Sequence, residues 1–209
     1  APPRVIEFLQ GSQARPLAMS RFGERMLRQA GLEPLYVPHA VDTDVYQPRD
    51  RAESRSVLGL GESAFVVGMV AANKSARKGF AEALQAFARF RERHDDAVLY
   101  IHAEPFGVLG GVHIPAVVAS LGIPGESVVF PDPYRYHIGA FPVEYMSAAY
   151  SAMDVFLNPA YGEGFGIPIV ESIACGTPVI VTDWTSMNEL GQVGWQVGGQ
   201  RFWEAQGAW

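Results

Sequence analysis

A doubly wound α/β fold, with a parallel sheet covered by helices on both faces, is predicted for this sequence. Short apolar runs rich in β-branched residues recur between residues 60 and 200, as expected of buried parallel strands. Amphipathic segments lie between these runs, so the pattern is that of consecutive βαβ units. The chain has 209 residues, of which 48% are hydrophobic, and this is enough for one domain with a sizeable core.

The predicted elements alternate strand and helix. Strands are predicted at 64–70, 97–102, 127–130, 154–159 and 178–182, and helices at 80–93, 113–122, 143–153 and 167–176. Phe80, Leu84 and Phe87 lie three or four residues apart and define the buried face of the first helix. In the last helix, Pro168 suits the first turn and Gly176 suits the position after the end. Ligands of such sheets bind beyond the carboxyl ends of the strands.

Residues 1–40 are predicted to be the trailing segment of a preceding domain and a hinge, and residues 41–209 one ligand-binding domain. The stretch 16–48 indicates a strand, a helix with Ser20 as its N-cap, a second strand and a connector rich in Pro and Asp. Because the chain starts without Met and stops abruptly, we expect a piece of a longer protein, truncated at its C-terminus.

The charge balance excludes several classes of protein. Sixteen Lys and Arg stand against 22 Asp and Glu, for a net charge of −6, which argues against a nucleic-acid or anionic-membrane surface. No apolar run is long enough for a membrane helix and no signal peptide is visible, and the single cysteine, Cys175, fits a reducing compartment. We therefore predict a cytoplasmic location. Both lysines of the chain, Lys74 and Lys78, lie in one loop.

The segment 161–178 follows a predicted strand and opens a predicted helix. Its glycines spell GEGFG rather than the dinucleotide fingerprint GxGxxG, so a nicotinamide site is not predicted. Amide groups at a helix start favour an anion or a sugar oxygen. Glu163 and Glu171 are either solvated residues or ligand-binding carboxylates. For Glu171, the apolar neighbours Ile169 and Ile173 indicate burial and hence a polar partner.

The loop 71–80 brings several polar and basic residues to the start of a helix, namely Asn73, Lys74, Ser75, Arg77 and Lys78. Cations beside helix amides can hold a diphosphate. The alternative is a solvated basic loop. Like charges at a helix N-terminus oppose the helix dipole, and a bound anion would relieve them, which favours the binding site.

Three further features of the sequence give weaker indications of function. The five histidines lack metal-site spacing, so no metal is predicted. Cys175, on an apolar helix face, is interpreted as a packing residue, and His39 is either a hinge residue or of no special role. The aromatic segment 131–141 either stacks a nucleobase or is an ordinary surface loop.

The segment from Glu163 to Glu171, EGFGIPIVE, resembles the EX7E motif of retaining glycosyltransferases of the GT-B fold, family 4 (group 1). The similarity covers about residues 16–195 and is most specific over 154–183. It extends to the interdomain segment SRFGERMLRQAGL…VPHAVDTDVYQP and to Lys78-Gly79. The resemblance implies a Rossmann-like C-terminal domain that binds the nucleotide-sugar donor.

The resemblance also implies roles for individual residues. Glu163 would contact donor sugar hydroxyls and Glu171 the ribose. The amides of Gly164, Phe165 and Gly166 would face sugar and phosphates, and Lys78 would hold the diphosphate. No divalent ion or other cofactor is implied.

Two departures from the family pattern affect the prediction. The usual Arg after Gly68 is Met69 here, and we expect Arg77 to supply the guanidinium. Gly68 and Asn73 complete the predicted donor contacts. The acceptor, a saccharide, lipid or other hydroxyl, would bind a missing N-terminal domain, so we expect the piece alone to be inactive. The full protein could associate peripherally with a membrane.

The alternatives are a non-catalytic nucleotide-sugar or interaction module, and another GT-B enzyme such as a nucleotide-sugar epimerase or a phosphorylase. A phosphorylase would need a pyridoxal-phosphate lysine. Lys74 and Lys78 both lie in the phosphate-type loop, which ranks that alternative low.

Overall fold

The structure, a computed structural model, describes residues 3–198. Its strands are β1 (Leu17–Ala18), β2 (Leu35–Tyr36), β3 (Phe65–Val70), β4 (Ala97–His102), β5 (Val128–Val129), β6 (Val155–Asn158), β7 (Val179–Thr182) and β8 (Trp195–Val197). Its helices are α1 (Pro3–Gln10), α2 (Arg21–Gln29), α3 (Arg51–Leu58), α4 (Phe80–Arg91), α5 (Ile114–Ser120), α6 (Pro133–His137), α7 (Val143–Ala152), α8 (Ile167–Ala174) and α9 (Ser186–Leu190). Short 3-10 turns lie at Ala76–Lys78, Gly125–Ser127 and Gly191–Val193.

Six strands form one parallel sheet in the order β5-β4-β3-β6-β7-β8. The chain builds outward from β3 to one side, then crosses back to start the other side at β6, which pairs with β3 at Val67↔Val155. The gap between these two strands is therefore the topological switch point, where ligands of doubly wound sheets bind. The predicted fold class is confirmed.

Each face of the sheet packs against its own helices. One buried cluster joins β3 and β4 to α4 and α5, with Leu84, Leu99 and Ile114 at its centre. The other joins β6 and β7 to α7 and α8 and contains Phe156 and Ile169, both completely buried. Helices thus cover both faces, as the alternation of strands and helices predicted.

A buried ion pair ties α3 to the amino end of the sheet. Arg55 is 1% exposed and donates to Asp154 Oδ2 at 2.7 Å and to the carbonyls of Ala152 and Gly61, each at 3.2 Å. The same Asp154 oxygen accepts the Val66 amide at 2.7 Å. Because both charges find partners, a helix that is mostly polar still docks firmly on the sheet.

One part of the sheet is less covered within residues 3–198. An apolar groove of about 920 Å³ runs between α4 and the adjoining face of β6, β7 and β8. Leu157, Ile180 and Val197 line it on the strands, and Phe87 and Phe90 on the helix.

Residues 3–36 form a small layer of their own. β1 pairs with β2 in parallel, and Ser20 caps α2 by accepting the Gly23 amide at 3.1 Å, as predicted. Glu189 on α9 accepts the Arg21 amide at 3.0 Å, so this layer is attached beside the carboxyl ends of the large sheet. The predicted boundary at residue 40 and the predicted truncation at the C-terminus stay predictions. Residues 199–209 lie outside the described part.

Several elements were not predicted: α1, α3, α9 and β8, together with the 3-10 turns. The prediction was wrong for 131–141, which was treated as a loop but contains α6. Asp132 starts that helix by accepting the Arg135 amide at 2.7 Å. Across residues 3–198, every helix is too short or too polar to cross a bilayer.

Candidate functional site

The loops that follow β3 and β6 meet at the switch point. The Tyr161 amide donates to the Arg77 carbonyl at 2.9 Å. Gly79, with φ +70°, packs so closely that a Cβ there would lie 2.5 Å from the Pro159 carbonyl oxygen. A larger residue at 79 would push the two loops apart, so this glycine fixes their approach.

Glu163 and two cations form the centre of the site. Lys78 Nζ lies 2.5 Å from Glu163 Oε1, and Arg77 Nη1 lies 3.2 Å from Oε2. The Glu163 side chain is 11% exposed and that of Lys78 is 19% exposed. The predicted catalytic residues Glu163, Lys78 and Arg77 are thus brought together, from loops 85 residues apart in sequence. Two cations against one carboxylate leave a net positive site, which suits an anion.

The backbone of Glu163 is held from both sides by residues that follow β7. Its amide donates to Thr185 Oγ1 at 3.1 Å, and Ser186 Oγ donates to its carbonyl at 3.0 Å. Thr185 adopts φ 56°, a conformation that is costly for a β-branched residue. Sequence reasoning missed both residues, although the loop after 182 was expected to contribute to the site.

The glycine-rich turn leads into α8. Gly166 has φ 102° and its carbonyl accepts the Ile169 amide, so α8 starts directly after the turn. Phe165 is buried, and its ring meets the edge of the His39 ring at 5.3 Å between centroids. Gly164 is exposed. The predicted amide contributors therefore lie at the N-terminus of α8, where partial positive charge accumulates.

Glu171 lies in the second turn of α8 and is enclosed by phenols. Tyr150 donates to Glu171 Oε2 at 2.6 Å. Burial, followed by the charge of Glu171, raises the pKa of Tyr150 and the pKa of the Tyr46 phenol. The predicted need of Glu171 for a polar partner is confirmed; its predicted ribose contact stays a prediction.

Two predicted donor contacts have packing roles in the structure. Gly68 lies inside β3, where a Cβ would be 2.0 Å from Met153 Sδ, and the structure does not bring it to the loops. Asn73 is 3% exposed; its side chain donates to the carbonyls of Glu104 and Val112 and accepts the Val112 amide at 2.8 Å. Asn73 thereby fastens the loop after β4 to the loop after β3.

Met69 and Lys74 lie apart from the charged centre. Met69 is 2% exposed within the core, so the residue at the family's Arg position does not face the loops. Lys74 is exposed. Cys175 is buried 3.7 Å from Ser147 Oγ, and burial raises its pKa, which agrees with the predicted packing role.

The segment 131–141 borders a buried histidine at the carboxyl end of β4. Burial lowers the pKa of His102 to about 4, and its Nδ1 lies 3.0 Å from the Tyr100 hydroxyl. The rings of Tyr136 and Phe141 meet the His102 ring edge-on at 5.4 and 5.8 Å between centroids. The base-stacking interpretation of this segment stays a prediction. Among residues 3–198, no three His, Cys, Asp or Glu side chains are grouped as a metal site would need.

A family model described as "Glycosyl transferases group 1" matches residues 64–201, which include both loops and α8. The chain belongs to the group 1 glycosyltransferases. A D-inositol 3-phosphate glycosyltransferase of Segniliparus rotundus is 31% identical over 145 residues, which are 69% of this chain and 30% of the relative. The corresponding protein of Geodermatophilus obscurus is 31% identical over 153 residues, which are 70% of this chain and 32% of that relative. The chain thus spans about a third of the length of these curated relatives.

Several solved structures share the fold. The Anabaena protein Alr3699/HepE, solved in complex with UDP and glucose, superposes with a TM-score of 0.74 at 22% identity, over 93% of this chain and 52% of that one. Sucrose-phosphate synthase of Thermosynechococcus elongatus gives 0.72 at 23% identity, over 88% and 45%. The C-terminal domain of a group 1 family protein (LpcC) of Francisella tularensis gives 0.58 at 20%, over 76% and 80%. This chain therefore has the fold of one half of a GT-B glycosyltransferase.

Proposed function

We propose that this chain is the donor-binding domain of a retaining glycosyltransferase that moves a sugar from a nucleoside-diphosphate sugar to an acceptor hydroxyl. The observation that carries the proposal is the contact of Lys78 and Arg77 with Glu163 across the switch point. The HepE structure with UDP and glucose supports a nucleotide-sugar donor, since that protein shares the fold of this chain. Membership of this chain in the group 1 glycosyltransferases supports the same donor class.

In the proposed site the two cations bind the donor diphosphate. Without a donor they neutralise Glu163. A diphosphate would draw Lys78 and Arg77 toward itself and leave the carboxylate free to accept hydrogen bonds from sugar hydroxyls. The amides of Gly164, Phe165 and Gly166, at the start of α8, would add donors to the phosphates or sugar.

Departure of the nucleoside diphosphate builds negative charge on the leaving phosphate. Fixed cations and helix amides stabilise that charge more in the transition state than in the ground state, and this lowers the barrier. We propose that Lys78 and Arg77 do this without a divalent ion or other cofactor, and that Glu171 binds the ribose.

The acceptor would be a saccharide, lipid or other hydroxyl held by a second domain. Met19, in the small N-terminal layer, lies near Gly164, since its Cε would be 3.6 Å from a Cβ built there. Elements that precede the donor domain therefore approach the sugar end of the site. Closure of a full second domain over it would exclude water, so we expect this chain alone to bind donor but turn over little. We propose a cytoplasmic location. Peripheral association with a membrane is proposed only for the full protein.

Calorimetry with UDP, GDP and ADP tests the proposal. We expect one of them to bind, and Lys78→Ala to weaken that binding roughly 10- to 100-fold because a charge-assisted hydrogen bond is lost. Lys74→Ala is the matched control, since this exposed lysine lies in the same loop. Lack of binding at millimolar nucleotide would refute the proposal. Binding without sugar transfer by a full-length parent would favour the non-catalytic alternative.

A further inference from the structure

Glu171 lies beside two phenols that come from different parts of the chain. Tyr150, on α7, is completely buried, and its hydroxyl lies 2.6 Å from Glu171 Oε2. Tyr46, in the connector before α3, is half-buried, and burial followed by the charge of Glu171 raises the pKa of its phenol. The two rings lie 6.3 Å apart between centroids, and we call this pair of phenols beside Glu171 the clamp.

The clamp restrains the Glu171 carboxylate and leaves some of its hydrogen-bond acceptor positions open. An ionised carboxyl group has about four acceptor positions, and the Tyr150 hydroxyl occupies one of them. This bond restricts the rotation of the Glu171 side chain and leaves acceptor positions for a ligand that carries two neighbouring hydroxyls. α8 also carries Ile169 and Ile173, which pack in the apolar core against the sheet. An unclamped carboxylate there would turn toward water.

Tyr46 owes its place to bonds between the connector and α7. Arg49 Nε donates to Ser147 Oγ at 2.8 Å, and Ser147 Oγ donates to the Gln47 carbonyl at 3.0 Å. The Arg49 amide donates to Ser151 Oγ at 3.1 Å. These bonds lay the connector along α7 and hold Tyr46 beside Tyr150.

We propose that Tyr150 and Tyr46 are positioning residues that orient Glu171 toward the donor ribose, and that they set the preference for ribose over deoxyribose. The inference rests on the proposed function, in which Glu171 accepts the ribose hydroxyls. A carboxylate held in one orientation discriminates against a sugar that lacks a hydroxyl, because that acceptor position is then left without a donor.

The test compares each nucleoside diphosphate with its 2′-deoxy analogue by calorimetry. UDP and 2′-deoxy-UDP, and GDP and 2′-deoxy-GDP, are titrated into the wild-type chain, Tyr150→Phe and Tyr46→Phe. We expect the ribonucleotide to bind about tenfold more weakly to Tyr150→Phe, and the deoxynucleotide to bind almost as before. The ratio of the two affinities therefore falls toward one. Tyr100→Phe is the control, since this buried phenol contacts His102 and Tyr145 instead, and its ratio should stay at the wild-type value.

The double variant Tyr150→Phe/Glu171→Gln distinguishes a positioning role of Tyr150 from a general loss of packing around it. If Tyr150 acts through Glu171, the double variant shows the same ratio as Glu171→Gln alone, because coupled effects do not add. An unchanged ratio in both single Tyr variants, with the wild type binding its nucleotide, overturns the clamp and leaves the proposed function standing. If the wild type binds neither UDP nor GDP, the proposed function fails, and the clamp with it.

Discussion

Replacing Glu163 by Gln removes the carboxylate that neutralises Lys78 and Arg77. In the proposed site that carboxylate competes with the donor diphosphate for both cations. Glu163→Gln should therefore bind UDP or GDP more tightly than the wild type does. The opposite sign is expected for Lys78→Ala, so the pair of variants tests the electrostatics of the site.

The magnitude follows from the distances. With Lys78 Nζ 2.5 Å from Glu163, a phosphate on the far side of the ammonium would lie about 6 Å from the carboxylate. Removing one unit charge at that distance is worth between ~0.7 kcal/mol at the dielectric of water and ~3 kcal/mol at an effective dielectric of ~20. The site is mostly buried, so we expect a gain in affinity of about tenfold at low salt. It should shrink as ionic strength rises.

Calorimetry at low and high salt measures the effect, with UDP-glucose beside UDP. Glu163→Gln should raise the affinity for UDP-glucose less than the affinity for UDP. The neutral amide that it introduces would bind the sugar hydroxyls more weakly than the carboxylate does. Glu126→Gln is the matched control: it removes the same charge from an exposed position before β5, at the opposite edge of the sheet. Weaker or unchanged nucleotide binding by a folded Glu163→Gln protein would refute competition for the cations.

Three further predictions concern the fold around the site. Arg55→Met should lower the free energy of unfolding by about 1–3 kcal/mol in urea titrations, because Asp154 loses its buried guanidinium partner and keeps only the exposed Arg51; a loss under about 0.5 kcal/mol would contradict a stabilising buried pair. The pKa of His102, lowered to about 4, predicts that its contribution to stability is full above pH ~6.5 and falls by about 3 kcal/mol as the pH drops to ~4, since the unfolded state binds the proton first. The difference in stability between the wild type and His102→Gln, measured from pH ~4 to ~7, should show this slope, and a flat difference would contradict it. Gly79→Ala should destabilise the chain by about 1–3 kcal/mol and weaken nucleotide binding, because its Cβ would meet the Pro159 carbonyl. Thermal unfolding and calorimetry measure the two effects, and the absence of either one would contradict this close contact.

The sheet and the pairing of its two main loops could be predicted from sequence. Runs such as residues 64–70 are apolar and β-branched enough to be strands, and carboxyl ends of parallel strands share one edge. This sufficed to bring Lys78 and Glu163 into one site, where they lie 2.5 Å apart.

The contacts that orient the site residues could not be predicted, because each depends on tertiary packing between distant segments. Tyr46 and Tyr150 have no local signal that they meet Glu171, since they come from a connector and from another helix. Thr185 adopts a backbone conformation that its residue type disfavours, so propensity argues against it. The polar helix α3 docks through Arg55 rather than through an apolar face, and its sequence pattern is correspondingly weak.

Hydrogen exchange with and without nucleotide tests most directly where the donor binds. Saturating UDP or GDP should slow amide exchange in the loop after β3, residues 71–79, and in the turn that leads into α8, residues 161–168. The apolar groove beside α4 should be unaffected. Protection confined to the groove, through Phe87, Ile180 and Val197, with no change in the two loops, would contradict a diphosphate site at the switch point.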